Sequence, residues 1–290
     1  MFDMVSRRGF VSLSAVAAAG LGLAGCSGSK TSEPAGSDAG SAKASSKKAV
    51  ELQVFAANSL EKALPEVQEL YTDQTGTTFA DTQFKASGDL VEQMRAGATV
   101  DVLITASKGT MDDAEAAELV DADTREDMFV NDLVIIRAEG SDAKIEAIAN
   151  VANLDGKIAI GDAKTVPAGK YANQALASVG LYTGTEGDDG EYAPELADKV
   201  ALADKVGTAA SYVSTGDCVA GFVYSSDIFR YDGIEEAFVC PEDSHKPIVY
   251  PGAVADGSEH ADEAKAFIDF CLSNKKAQKI WAKYGFELSE

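Results

Sequence analysis

Three short segments of the chain place hydroxyls and backbone amides where a helix begins. Leu52-Gln53-Val54-Phe55-Ala56-Ala57 is an apolar strand that runs into Asn58-Ser59 and then into a helix-like stretch. Phe84-Lys85-Ala86-Ser87-Gly88-Asp89 and Val166-Pro167-Ala168-Gly169-Lys170-Tyr171 carry the same chemistry in other residues. The first turn of a helix leaves amide N–H groups without intrahelical partners, and Ser or Asn there adds a side-chain polar group. Aided by the helix dipole, such ends hold anions. Three of them in one chain point to a cleft for a small oxyanion. An anion that carries only acceptors asks for donors alone, and serine or tyrosine hydroxyls and main-chain amides supply them.

The elements that must position these ends follow from periodicity. Leu60, Ala63, Leu64, Val67 and Leu70-Tyr71 recur at three- and four-residue spacing, which predicts a helix over 59–75 stopped by Gly76. Residues 78–84 and 100–105 read as strands, and 89–96 and 108–119 as helices. Alternation of this kind predicts an α/β fold with a parallel sheet, on which ligands bind beyond the carboxyl ends of the strands. Ser59, Ser87 and Ser107 all stand at such ends. A second group opens at Leu133-Val134-Ile135-Ile136, with a strand at 157–160, helices at 169–179 and 206–213, and a buried strand at 219–224. A strand at 248–254 and a helix at 261–272 complete the pattern. The expected division is two lobes, 50–130 plus 228–290 and 131–227, with the chain crossing between them twice.

The first residues speak to compartment. Ser6-Arg7-Arg8-Gly9-Phe10-Val11 is a twin-arginine pattern, followed by an apolar run to Leu23 and then Leu23-Ala24-Gly25-Cys26. A charged start, a short apolar core and small residues before a cut describe an export signal over 1–25, too short to span a membrane. Cysteine directly after Leu-Ala-Gly looks like a bacterial lipobox, implying cleavage before Cys26 and lipid on that residue. Residues 26–49 are rich in Gly, Ser, Ala and Lys and cannot bury enough surface to offset ordering, so a flexible tether is expected.

Lys and Arg number 25 against 47 Asp and Glu, a formal charge of −22 that becomes −23 when Arg7, Arg8 and Asp3 leave with the signal. Nucleic acid and anionic membrane are poor partners for that surface. An anion is also repelled at long range, so its capture must depend on short-range donors. Cys218, Cys240 and Cys271 are widely spaced without a C-x-x-C, and His245 and His260 are the only histidines. Buried apolar packing is the simplest role for these thiols, and neither a zinc site nor a resident cofactor is expected.

Val54-Phe55-Ala56-Ala57-Asn58-Ser59-Leu60, Phe84–Leu90, Gly161–Ala172 and Gly221-Phe222-Val223-Tyr224-Ser225-Ser226-Asp227 together resemble the periplasmic molybdate-binding (ModA) proteins of ABC importers. Pro241–Lys246, Tyr250-Pro251 and Lys283-Tyr284-Gly285-Phe286 continue the likeness, which covers about 50–288. The resemblance implies a two-lobed, periplasmic-binding-protein-like (type II) α/β fold with a ligand cleft between the lobes. It implies a monomer that closes over molybdate or tungstate, is lipid-anchored at Cys26 outside the cell membrane, and delivers its ligand to ABC permease subunits without catalysis. Carried over by motif, the ligand set is Ser59, Ser87, Ala168, Val206 and Tyr224. The anion is bound through its oxygens, with no protein atom on the metal. Ala86-Ser87-Gly88 stands where many relatives have consecutive serines.

Blander roles exist for each residue. Ser59 alone is an ordinary helix cap, Pro167-Ala168-Gly169 an ordinary helix start, and Tyr224 a core aromatic. Asp89, Asp162 and Asp227 read as caps or surface groups, and His245 as a solvated turn residue. A serine hydrolase would need a base linked to Ser59 or Ser87, and no Gly-x-Ser-x-Gly elbow is present. Sulfate, phosphate or a small carboxylate is the nearer rival ligand. An arginine clamp for a carboxylate is not expected, because Arg95, Arg125, Arg137 and Arg230 lie outside the proposed junctions.

Overall fold

The computed structural model describes residues 50–289. The export signal, Cys26 and the tether lie outside the described residues. The chain begins with β1 (Glu51–Leu52), β2 (Val54–Ala57), α1 (Ala63–Thr75), β3 (Thr78–Phe79), β4 (Gln83–Lys85), α2 (Ser87–Arg95), β5 (Val102–Ile104), α3 (Lys108–Ala116) and β6 (Glu126–Asn131). It continues with β7 (Leu133–Ala138), β8 (Ile158–Gly161), α4 (Pro167–Ser178), α5 (Pro194–Ala197), β9 (Val200–Ala203), α6 (Val206–Ser214), β10 (Ala220–Tyr224) and β11 (Ile234–Val239). It returns through β12 (Ile248–Val254), α7 (Ala261–Ser273), α8 (Lys275–Lys283) and β13 (Glu287–Leu288).

A six-stranded sheet ordered β13-β6-β12-β5-β2-β4 forms the first lobe, and a five-stranded sheet ordered β11-β7-β10-β8-β9 the second. Both are mixed, where alternation had predicted parallel pairing. β2 runs parallel to β4 and β5, but β12 lies antiparallel to β5 and β6. In the second lobe β8 is parallel to β9 and β10, while β7 is antiparallel to β10 and β11. The antiparallel strands flank the two crossovers: β6 passes to β7 through Asp132 alone, and β12 is the returning strand.

The second crossover is also displaced from its expected place at 227/228. β11 pairs with β7, so the chain stays in the second lobe until Val239 and crosses between 240 and 247. This strand is poorly marked in sequence, because it is only partly buried and shifts register between Glu236 and Phe238. The strand expected at 78–84 is two strands: β3 joins β1, and β4 joins β2.

Burial explains the frame. Val54–Ala57, Ile158–Gly161 and Ala220–Tyr224 are buried throughout, as central strands covered on both faces must be. Tyr71 of α1 meets Phe267 and Phe270 of α7 edge-on at 5.2 and 4.9 Å, closing one face of the first sheet. Leu90, Met94 and Met111, from α2 and α3, pack with Phe55 and Leu103 in a separate cluster. Cys218, Cys240 and Cys271 are free and buried, as their role as small apolar groups required. No described helix is long and apolar enough to cross a membrane.

Candidate functional site

The strand ends bring Ser59, Ser87, Ala168, Val206 and Tyr224 to the wall of one cavity, together with Asn58, Lys85 and Ala106. Ser59 sits in a 3-10 turn directly after β2, and Ser87 is the first residue of α2 after β4. β2 and β4 are paired with Ala57 opposite Lys85, which sets these two serine turns side by side. From the other lobe come the first turn of α4, opened by Pro167, and the first residue of α6. Three helix N-termini therefore face one point, each contributing about 0.3–1 kcal/mol toward an anion. Ser107 does not line this cavity; its hydroxyl accepts the Thr110 amide at 3.1 Å and caps α3.

The hydroxyls are prepared as donors. Ser87 Oγ accepts the Ala106 amide at 3.0 Å, which leaves its proton free to point elsewhere. Ser59 Oγ lies 2.9 Å from Tyr250 Oη, to which the Asn131 amide donates at 3.4 Å. Asn131 Oδ1 accepts from Ser225 Oγ and from the Asp132 amide, so its NH2 faces Tyr250 and Ser226. Either hydroxyl of the Ser59–Tyr250 pair can be the donor, and when Tyr250 donates the serine hydrogen is free for the cavity. Tyr224 Oη is buried and has no hydrogen-bond partner among the described residues. Burial first, then the nearby Tyr250, Tyr171 and Asp227, holds that phenol well above its ordinary pKa, so it stays a neutral donor.

Two polar wall residues, Lys85 and Asn58, lie outside the expected ligand set. Lys85 lines the cavity, and its ammonium donates to Gln93 Oε1 of α2 at 3.1 Å. Its position at the end of β4, two residues before Ser87, was the available signal. Asn58 Oδ1 accepts the Gly207 amide of α6 at 3.1 Å and so ties the lobes together. Arg230 lines no part of the cavity but donates to Asn58 Oδ1 at 3.4 Å. Asp227, read as a cap or surface group, is a buried cap: it accepts the Tyr224 amide at 3.0 Å and pairs with Arg230. Burial pushes its carboxyl up while the guanidinium pulls it back. Asp89 is likewise raised by burial, opposed by Lys85 and reinforced by Asp204 and Asp162.

Residues 52–287 match the family described as bacterial extracellular solute-binding protein. The chain belongs to that family. The solute-binding protein is 33% identical over 242 residues to the molybdate-binding protein ModA of Escherichia coli, covering 82% of this chain and 89% of that one. It is 31% identical to the putative ABC transporter substrate-binding lipoprotein YvgL of Bacillus subtilis, covering 91% and 92%. A solved substrate-binding domain of a putative molybdenum ABC transporter from Clostridium difficile shares 33% identity at a TM-score of 0.61, covering 83% of this chain and all of that one. A periplasmic molybdate-binding protein from Azotobacter vinelandii, 19% identical, matches in fold at 0.69 over 82% of this chain and 100% of that one.

In the solute-binding protein the cavity between the lobes is small, about 10 Å³, close to the room one water needs. A tetrahedral oxyanion can enter only when the lobes part. Another concavity, about 610 Å³, lies entirely within the first lobe and is edged by Glu51, Asp101, Glu118, Asp256 and Glu259. Lobe movement does not gate it, and its carboxylates repel anions.

Gly88 marks where the lobes meet. Its amide donates to Thr165 O across the cleft at 3.1 Å, and a Cβ there would lie 2.9 Å from Thr165 Cα and 3.0 Å from its oxygen. Both obstructing atoms are backbone of the opposite lobe, so Gly88→Ala should hinder closure without disturbing either lobe. The expected result is oxyanion affinity lowered about tenfold, one overpacked contact of about 1.4 kcal/mol, with ligand-free melting temperature unchanged. Calorimetric titration beside thermal unfolding checks it.

Proposed function

We infer that this protein captures molybdate, and tungstate of the same shape and charge, and delivers it to the membrane subunits of an ABC importer. Ser59, Ser87 and Tyr224 supply hydroxyls, and Ala168 and Val206 supply amides. The observation that carries the proposal is the buried Tyr224 hydroxyl, unpartnered among the described residues, at a cavity lined by serines and helix starts of both lobes. The 33% identity to a molybdate-binding protein supports the choice of anion.

Hydrogen bonds to a charged group contribute about 1.5–3 kcal/mol each, so a handful can offset the cost of stripping water from a dianion. Because donors are contributed by both lobes, the anion favours the closed form and hinge rotation gates exchange. Phosphate at neutral pH carries a proton that such a donor set leaves without an acceptor, and sulfate is a smaller tetrahedron that leaves donors unpaired. Ser59 and Ser87 are bonded to a phenol and an amide, not to a base that could make either a nucleophile.

Thermal unfolding with molybdate, tungstate, sulfate and phosphate tests the proposal. A ligand at a hundred times its dissociation constant adds about 2.7 kcal/mol of stability, equivalent to roughly 5–10 °C here. Stabilisation by sulfate or phosphate but not by molybdate would overturn the assignment. Affinity for molybdate is further expected to change less than threefold between pH 6 and pH 8. The Tyr224 phenol titrates far above that window, and serine and amide donors do not titrate near it. Calorimetry at the two ends checks this, and a tenfold slope would place a titrating group in the site.

Export and lipid attachment at Cys26 complete the proposal. The lipid and the 26–49 tether keep the protein near its permease and raise its effective concentration there. Cys26→Ser is expected to release the protein from the membrane fraction.

A further inference from the structure

Arg230 carries a buried charge that the oxyanion proposal leaves unexplained. Its side chain is 1% exposed, in a loop of the second lobe, in a protein with an excess of acidic residues. Nη1 pairs with Asp227, itself fully buried, whose other oxygen holds the Tyr224 amide. Nη2 points across the cleft to Glu61 Oε2 at 3.1 Å and Asn58 Oδ1 at 3.4 Å, and meets Tyr231 Oη at 3.0 Å. Asn58 Nδ2 also donates to Glu61 at 3.2 Å, and Asn58 Oδ1 accepts from Gly207. One guanidinium thus links groups adjacent to Ser59, to Val206 and to Tyr224.

We propose that Arg230 is a positioning residue that latches the lobes shut around the bound oxyanion. The Asp227 pair lies within one lobe and persists in any state. The Glu61 and Asn58 bonds cross the cleft and exist only when it is closed. Opening the lobes therefore strips the guanidinium of two acceptors, and closing them restores both while drawing the Asn58-Ser59 turn toward Tyr224. Nε has no partner among the described residues, so the charge is only partly compensated without those contacts. The positive charge also offsets Asp227 and Glu61, which would otherwise repel a dianion nearby.

The inference rests on anion capture by this cleft, and its test separates the two. Stopped-flow binding of molybdate is measured for the wild type, Glu61→Gln, Arg230→Lys, Arg230→Met and the Glu61→Gln/Arg230→Met pair. Small-angle scattering follows the ligand-free proteins. Arg230→Met is expected to raise the dissociation rate about tenfold or more with little change in association rate. Lysine, a point charge without the planar fork, restores part of the loss. The double variant should dissociate no faster than Arg230→Met alone, because both changes break one contact.

Glu61 is 48% exposed, so Glu61→Gln should keep the wild-type melting temperature while raising the dissociation rate; it carries the test if the Arg230 variants fail to fold. A dissociation rate unchanged in Glu61→Gln and Arg230→Met overturns the latch. If the wild type binds no molybdate, the capture reading fails by itself and scattering decides the latch. A larger radius of gyration for ligand-free Glu61→Gln than for wild type supports it, and equal radii overturn it.

Discussion

Tyr224→Phe is expected to weaken molybdate binding while leaving the ligand-free protein as stable as before, or more so. The two effects have opposite signs because the hydroxyl has work to do only when the anion is present. In the ligand-free protein Tyr224 Oη is buried without a hydrogen-bond partner among the described residues, so its removal breaks no hydrogen bond. A buried hydroxyl without a partner costs about 1–3 kcal/mol, and phenylalanine removes that penalty while keeping the ring packed against Tyr171 and Tyr250. In the complex the same hydroxyl donates to a charged oxygen, a bond of about 1.5–3 kcal/mol, so its loss should weaken binding tenfold or more. Calorimetric titration and thermal unfolding without ligand check the two signs separately. An unchanged dissociation constant would remove Tyr224 from the ligand set. A clear fall in melting temperature would mean that the hydroxyl has a structural partner.

The parts of the site readable from sequence are those built within a few residues. An Asn-Ser turn after an apolar strand, a serine at a helix start, and Val-Pro-Ala-Gly opening α4 each carry their geometry locally, and the cavity is lined by these same turns. What supports them is remote. Ser59 meets Tyr250 191 residues away, and Asn58 meets Arg230 172 residues away; no periodicity in either segment announces these pairs. Arg230 was set aside because it lies outside the junctions, yet its reach carries it back to one of them. Lys85 was overlooked because only the β2–β4 register makes it a neighbour of the Asn58-Ser59 turn.

Fold elements were legible in proportion to their burial. Ala220–Tyr224, buried throughout, reads as a strand at once, whereas β9 leaves Leu202 54% exposed at a sheet edge and gives no such signal. α8 carries its apolar residues Ala277, Ile280 and Trp281 at three- and four-residue spacing and is capped by Asn274, so its signal was present but confined to nine residues among lysines and was passed over. The mixed pairing of both sheets arises at the crossovers, and one strand–helix alternation cannot reveal from which direction a strand returns.

Gly169→Ala is expected to be the most damaging small substitution at the site, lowering stability and anion affinity together. A Cβ at Gly169 would stand 2.0 Å from Gly161 O and 2.6 Å from its carbonyl carbon, both backbone at the end of β8. The clash is mutual, since a Cβ at Gly161 would lie 2.6 Å from Val166 Cγ1 and 3.2 Å from Gly169 N. Two glycines therefore let the first turn of α4 rest directly on the strand end, and that contact sets where the Ala168 amide points. Neither obstructing atom can rotate away, so the helix start must lift. Overpacking of this kind costs about 3 kcal/mol, which corresponds to a fall in melting temperature of about 6–12 °C. The lifted turn moves the Ala168 amide from the cavity and loses one bond to the anion, at least tenfold in affinity. Gly88→Ala is the control: it obstructs the opposite lobe instead of its own, so it should lower affinity with no change in melting temperature. Thermal unfolding and molybdate titration of the two variants side by side distinguish a turn held by its own lobe from one that touches only on closure. If Gly169→Ala melts with the wild type, the close approach of α4 to β8 does not hold the site.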